Sequence, residues 1–449
     1  MAILYVRSTD GNNADDGSTW ALAKATIAGA IAAASAGDTI YVSHQHAEDS
    51  AAAAISISGG TAASPIRIIC ANDGAEPPTA LATSATVSTS SGSSAQNDIN
   101  ILGFLYVYGI TFRSSISTTT NPNIILGTTL NSSNYVVLDN CTVSLYNCGT
   151  AARILFSSQA SAAKDAGVEL INTTLNFSNA SQSVIPASNI NWKGGSVTGT
   201  TPTTLFVGVS SFAPYGNVEL YGVDLSNIGS GNNLVSVAGN GPGEFRFINC
   251  KLGASVTPVT GTHAGQGGRR VWLINCDSAD TNYRYQKTDF LGTITSETTI
   301  VRTGGSSDGT TAFSRKVVTS ANVDFTRPLV LDPIIVWNET TGSALTATVE
   351  IVTDNVTLTD AEAWLEVEYL GTSGYPLSLF ANDRAADILA TPANQTTSTE
   401  TWTTTGLTTP VKQKLAVSFT PQEKGPIKLR VHVAKASTTV YVCQKAAVA

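Results

Sequence analysis

An eight-residue pattern recurs through the middle of this 449-residue chain, and it constrains the fold more than any other feature. Its clear copies are Leu105–Phe112, Val136–Val143, Val168–Leu175, Val218–Leu225, Phe245–Leu252 and Val271–Ser278, with a degenerate copy at Ile190–Val197. Asn or Gly holds the fifth place of each clear copy: Gly109, Asn140, Asn172, Gly222, Asn249 and Asn275, spaced 31, 32, 50, 27 and 26 residues apart. The degenerate copy divides the interval of 50. From Gly109 to Asn275 is 166 residues over six steps, about 28 per step. That is too short for a globular domain and is the size of one turn of a solenoid.

The phase within each copy gives its geometry. Positions one and three are apolar throughout, as in Val136 and Leu138 or Phe245 and Phe247. Position two is free: Tyr106, Val137, Glu169, Glu219, Arg246 and Trp272. This is strand alternation with the odd positions inward. After the Asn or Gly the phase slips by one, so that Cys141 and Val143, or Cys250 and Leu252, become the inward pair. Such a slip marks a corner between two short strands, and Asn and Gly tolerate the left-handed backbone a corner needs. Asn side chains stacked from turn to turn can also hydrogen-bond to one another. The expected fold is all-β, a right-handed parallel β-helix. A β-sandwich with hairpin turns is disfavoured, because hairpins require no common residue at one place every ~28 residues.

The segment Thr19–Ser35 is Ala-rich and helix-prone, with Trp20, Ala23, Ile27 and Ile31 at the spacing of one apolar face. Gly37 ends it, and Asp38-Thr-Ile-Tyr-Val42 resumes as a strand. A helix before such a strand, Gly37 to Val42 here, resembles the start of pectin-lyase-like β-helix proteins. The resemblance covers roughly residues 1–290 as architecture, and it implies a helix capping the open end of the coil. From about Ser296 the Asn-corner pattern gives way to some eight alternating strands, from Lys316–Thr319 to Thr439–Cys443. These predict an antiparallel β-sandwich or jelly roll. The expected division is residues 1–50 for the first strand, capping helix and first rung, 51–295 for the β-helix and 296–449 for the sandwich, with a hinge at Gly304–Gly309.

Only 13% of residues are charged, the net charge is −8, and the 25 Lys and Arg form no run. A binder of nucleic acid through its phosphates is therefore not expected. No stretch of ~20 apolar residues offers a membrane span, and the first residues lack the pattern of a secretory signal. The six cysteines, Cys70, Cys141, Cys148, Cys250, Cys276 and Cys443, lack zinc spacing and are expected as buried thiols.

Glycosidases need two carboxylates facing one groove. Glu169 and Glu219, both at position two, are the outward candidates for a sugar site, about two rungs or roughly 10 Å apart. The plainer reading is a solvated face on which Arg246 pairs with Glu219. Asp224, Lys251 and Asp277 likewise read as a column of alternating charge. His263 is a lone histidine in a Gly-rich loop before Arg269 and Arg270. His44 and His46 read as parts of a polar loop. The calcium-binding Asp clusters of pectate lyases and the paired Asp motifs of polygalacturonases are not intact. Trp337, Trp364, Tyr369, Tyr375 and Trp402 are candidate sugar-stacking aromatics of the last domain, with core packing expected for most.

The whole chain resembles bacteriophage virion proteins of the β-helix type: decoration proteins, head fibres and tail spikes. The resemblance implies a non-enzymatic capsid decoration or head-fibre protein. Its partners would be the major capsid protein or other virion proteins, with itself as a homo-trimer. The chain would be made in the host cytoplasm and end in the virion. No catalytic residue, metal or cofactor is expected, and neither nucleic acid nor membrane as a partner. The alternative is a tailspike or tail fibre that binds or cleaves host surface polysaccharide.

Overall fold

The computed structural model describes residues 2–449 apart from 91, 118, 128–133, 157–166, 208–216, 237–243, 261–269, 279–281, 290, 304–311, 371–375, 381–400 and 405–406. The chain divides into two compact units, Met1–Tyr283 and Arg284–Ala449.

In the first unit the repeat copies lie side by side. Leu105, Val136, Val168, Ile190, Val218, Phe245 and Val271 are successive partners in parallel strands. The degenerate copy is thus a full rung, and its corner is Gly194, at φ 67°. The ladder continues toward the amino terminus through Ile66–Ala71, Thr39–Ser43 and Ile3–Val6. Beyond the corner runs a second parallel ladder, which includes Ala85–Thr89, Ile110–Ser114 and Thr142–Leu145. A third ladder includes Ile55–Gly59, Asn123–Gly127, Arg153–Phe156 and Ser183–Pro186. The eight-residue repeat spans the first two ladders and leaves out the third. Its apolar runs, such as Ile124–Leu126 and Ile154–Phe156, are legible, but connections of varying length move them off any fixed spacing.

The corners are left-handed. Asn140, Asn172, Asn249 and Asn275 have φ of 50°, 46°, 53° and 50°, and Gly109 and Gly222 have 73° and 64°. The slip breaks the backbone ladder, and position six repairs it. Thr173 Oγ1 donates to the Leu138 carbonyl at 3.0 Å, one rung back. Cys141, Cys250 and Cys276 donate through sulfur to the Val107, Leu220 and Phe247 carbonyls at 3.5, 3.7 and 3.2 Å. Burial pushes the Cys141 thiol up to about 12, so it keeps the proton it donates. All six cysteines are buried thiols outside any disulfide. Those at position six are therefore weak donors as well as small apolar fillers. An ordinary L-residue in the left-handed region costs about 1–2 kcal/mol. Asn249→Ala is accordingly expected to destabilise the chain by about 1 kcal/mol, with Asn249→Gly closer to neutral, measured by chemical denaturation.

The core of this unit is a column of Val, Ile, Leu and Phe drawn from all three ladders, with Trp192 fully buried within it. The Trp192 indole donates to the Thr173 carbonyl at 3.1 Å.

The amino-terminal helix is much shorter than Thr19–Ser35. Trp20–Leu22 is a single 3-10 turn, and the α-helix is only Ile27–Ala33, capped by Thr26 Oγ1. Two local bonds break the longer helix. Lys24 joins Val6 in a parallel bridge, and Asn13 Oδ1 takes the N–H groups of Ala25 and Thr26. Ile27 and Ala30 enter the coil core, while Trp20 packs on Tyr5 with ring centroids 4.7 Å apart.

The second unit is antiparallel. In one sheet Leu345–Asp354 lies between Pro410–Phe419 and Thr439–Val448, and Ala312–Thr319 extends it. In the other, Gly425–Val433 pairs with Ala363–Leu370 and with Ile334–Asn338. Val349, Val417, Trp364 and Leu429 from both sheets share one apolar core. Tyr369 is buried as well, but Trp337 is 65% exposed. Tyr375 and the side chain of Trp402 lie outside the described residues.

Candidate functional site

The first ladder turns two columns of side chains outward. Along one, parallel pairing sets Arg67, Tyr106, Val137, Glu169, Asn191, Glu219, Arg246 and Trp272 in successive rungs. Along the other, two residues earlier in each strand, run Phe104, Tyr135, Gly167 and Asn189. Two depressions open on this face, and Tyr135 is a wall of both. One, of about 700 Å³, is lined by Arg67, Phe104, Tyr106 and Tyr135 among others. The second, of about 260 Å³, is lined by Tyr135, Asn189, Asn191, Asn217 and Glu219.

Glu169 and Glu219 thus share one column with only Asn191 between them. Their surroundings differ. Glu169 accepts from Lys193 Nζ at 2.8 Å and from the Tyr135 hydroxyl at 2.9 Å. Partial burial pushes its carboxyl up, but the two hydrogen bonds and the Lys193 charge outweigh that and hold it below the usual carboxylate range. Glu219 is half exposed, and among the described residues its ion partner is Arg246, 3.9 Å away. Asn191 Oδ1 is buried without a hydrogen-bond partner. A buried acceptor left unpaired beside an open depression is a natural place for a ligand donor.

The tyrosines are positioned by their neighbours. Tyr106 donates to Asp139 Oδ2 at 2.7 Å, and Asn140 Nδ2 holds the other Asp139 oxygen, also at 2.7 Å. The Tyr135 ring lies across Gly167 of the next rung, where any Cβ would stand 2.7 Å from its carbons. Burial and the bond to Glu169 push the Tyr135 phenol up to about 12. Gly167→Val is expected to expel the ring and separate it from Glu169. The Tyr135 phenol would then titrate nearer 10, read by ultraviolet absorbance against pH.

Position-two residues of the face were legible in the sequence; Tyr135, Gly167, Asn189 and Asn217 were not singled out there. They stand just before position one of each copy, and period-two alternation would have marked that place as outward too. The Asp224, Lys251, Asp277 column is present, with Lys251 Nζ 3.7 Å from Asp224. His263 lies outside the described residues. His44 faces Asp73 at 3.3 Å, and His46 is buried against Glu48, also at 3.3 Å. Among the described residues no three His, Cys, Asp or Glu gather as a metal site, and no helix is long and apolar enough to cross a membrane.

No protein family matches the chain, and neither does any curated protein. Solved structures do. The enzymatically active domain of tailspike protein 4 of bacteriophage CBA120 is 10% identical over 94% of this chain and 65% of its own, at a TM-score of 0.21. The tailspike protein of Acinetobacter phage vB_ApiP_P1 is 9% identical over 90% of this chain and 82% of its own, at 0.23. The GH136 lacto-N-biosidase of Eubacterium ramulus is 10% identical over 62% of this chain and 68% of its own, at 0.24. The chain is thus similar to solved phage tailspikes, and it is all-β with parallel ladders. It spans 65% of the length of the CBA120 tailspike domain.

These neighbours correct the expectation of a non-enzymatic capsid decoration or head-fibre protein. They are described as tailspikes and a glycoside hydrolase. Arg67 lines the first depression and Glu219 the second.

Proposed function

We propose that the chain is a tailspike-type protein that binds a host surface polysaccharide along this outward face and cleaves it between Glu169 and Glu219. The observation that carries the reading is the placement of these two carboxylates in one column, one rung apart from Asn191 on either side, beside a depression walled by Tyr135. Two rungs are roughly 10 Å of backbone, close to the ~6.5–9.5 Å between the carboxyl groups of inverting glycosidases. Glu169, held as an anion, serves as the base that activates water. Glu219, which lines the depression, serves as the acid that protonates the leaving oxygen. Tyrosine rings suit the apolar faces of sugars, and the asparagines suit their hydroxyls.

With this reading go its finer parts: a right-handed β-helix at 51–295 with Ile27–Ala33 over its first rung, a sandwich at 296–449, a homo-trimer, and a place in the virion. Purified chain incubated with host capsule or lipopolysaccharide is expected to release reducing ends. Tight binding with no turnover would overturn the cleavage, and no binding to any host glycan would overturn the whole reading.

A further inference from the structure

The first depression has an electrostatic direction that bears on which polysaccharide it takes. Arg67 stands exposed at one end of the column, one rung before Tyr106. Among the described residues its guanidinium has no carboxylate partner, whereas Lys193 is paired with Glu169, and Arg246 with Glu219 and Glu244. The carboxylate nearest Tyr106, Asp139, already accepts from Tyr106 and from Asn140. The wall around Arg67 is otherwise apolar: Ala62, Pro65, Ile69 and Phe104.

From this, and resting on the polysaccharide reading above, we infer that the glycan is acidic and that Arg67 receives its anionic substituent while the adjoining sugar lies against Tyr106. A guanidinium presents a planar fork of donors that matches a carboxylate or a phosphate with two hydrogen bonds. At the other end, Asn191 Oδ1 accepts from a hydroxyl, and an anionic group there would meet the Glu169 carboxylate unfavourably. The two ends therefore select opposite chemistry, and the bound chain has one polarity.

The test is binding of the full chain to a panel of immobilised glycans: uronic-acid polysaccharides and their carboxyl-reduced forms, and phosphodiester-linked glycans and their dephosphorylated forms. At least one acidic member is expected to bind, with about tenfold or greater loss when its acid group is removed, and a similar loss for Arg67→Gln. Arg67→Lys, which keeps the charge but not the fork, should fall between. Which acidic class binds tells carboxylate from phosphate. Arg67 is exposed, so an unchanged melting temperature is expected for both variants. Binding to neutral glycans alone, still weakened by Tyr135→Ala, overturns the inference and leaves the polysaccharide reading standing. Acidic binding indifferent to Arg67→Gln also overturns it. Binding to no glycan overturns both.

Discussion

Glu219→Gln is expected to lower polysaccharide cleavage about 10²–10⁴-fold, the range of a lost general acid, with binding changed little. The glutamine keeps the size of the side chain and its contacts with the depression, so affinity should hold. It cannot release a proton to the leaving oxygen, so turnover should not. Glu169→Gln should slow cleavage as well, and it should also disturb structure, because it replaces one of the two oxygens that accept from Lys193 and Tyr135 with an amide donor and removes the charge. The pair of variants separates roles: a loss confined to turnover marks Glu219, while a loss in both turnover and the Tyr135 titration marks Glu169. The measurement is initial rate of reducing-end release beside equilibrium binding. If Glu219→Gln cleaves at the wild-type rate, this carboxylate is not the acid and the proposed pair is wrong.

The largest stability effect is expected at Trp192→Ala, about 3–5 kcal/mol. Trp192 is fully buried. It belongs to the degenerate rung, whose neighbours on either side are Leu170 and Leu220. Removing the indole leaves a cavity that parallel backbone rungs, fixed by their ladders, can close only in part. It also leaves the Thr173 carbonyl without the indole as donor. Trp192→Phe should be milder, keeping most of the volume and losing the hydrogen bond. Denaturant unfolding monitored by circular dichroism gives both values. A loss below about 1 kcal/mol for Trp192→Ala would mean that the coil collapses around the gap.

The rungs were legible because their physics is local and periodic. Alternation placed Val136 and Leu138 inward, and the left-handed corner restricted one place to Asn or Gly. Alternation also put Glu169 and Glu219 in a single outward column, and the degenerate copy set them two rungs apart. The short helix was not legible. The Ala-rich stretch has the propensity for a longer one, but Asn13 and Val6, distant in sequence, claim its backbone groups first. Nor was the groove. Its decisive pieces are relations between rungs, such as the Tyr135 ring over Gly167, and they depend on pairing register more than on residue type. The sequence predicts the six cysteines as buried thiols. A second role for Cys141, Cys250 and Cys276, donation to a carbonyl of the preceding rung, appears only when that rung is in place.

The strict pairing of each rung with the next has a consequence for how such a chain can change. Because every turn offers the same edge to its neighbour, a whole turn can be inserted or deleted without re-registering the remainder. Each such step would lengthen or shorten the face by about 4.8 Å. On the proposed function the face would then be a ruler graduated in turns of the coil: duplication of a segment would alter the length of glycan it takes, and single substitutions at position two the chemistry it takes.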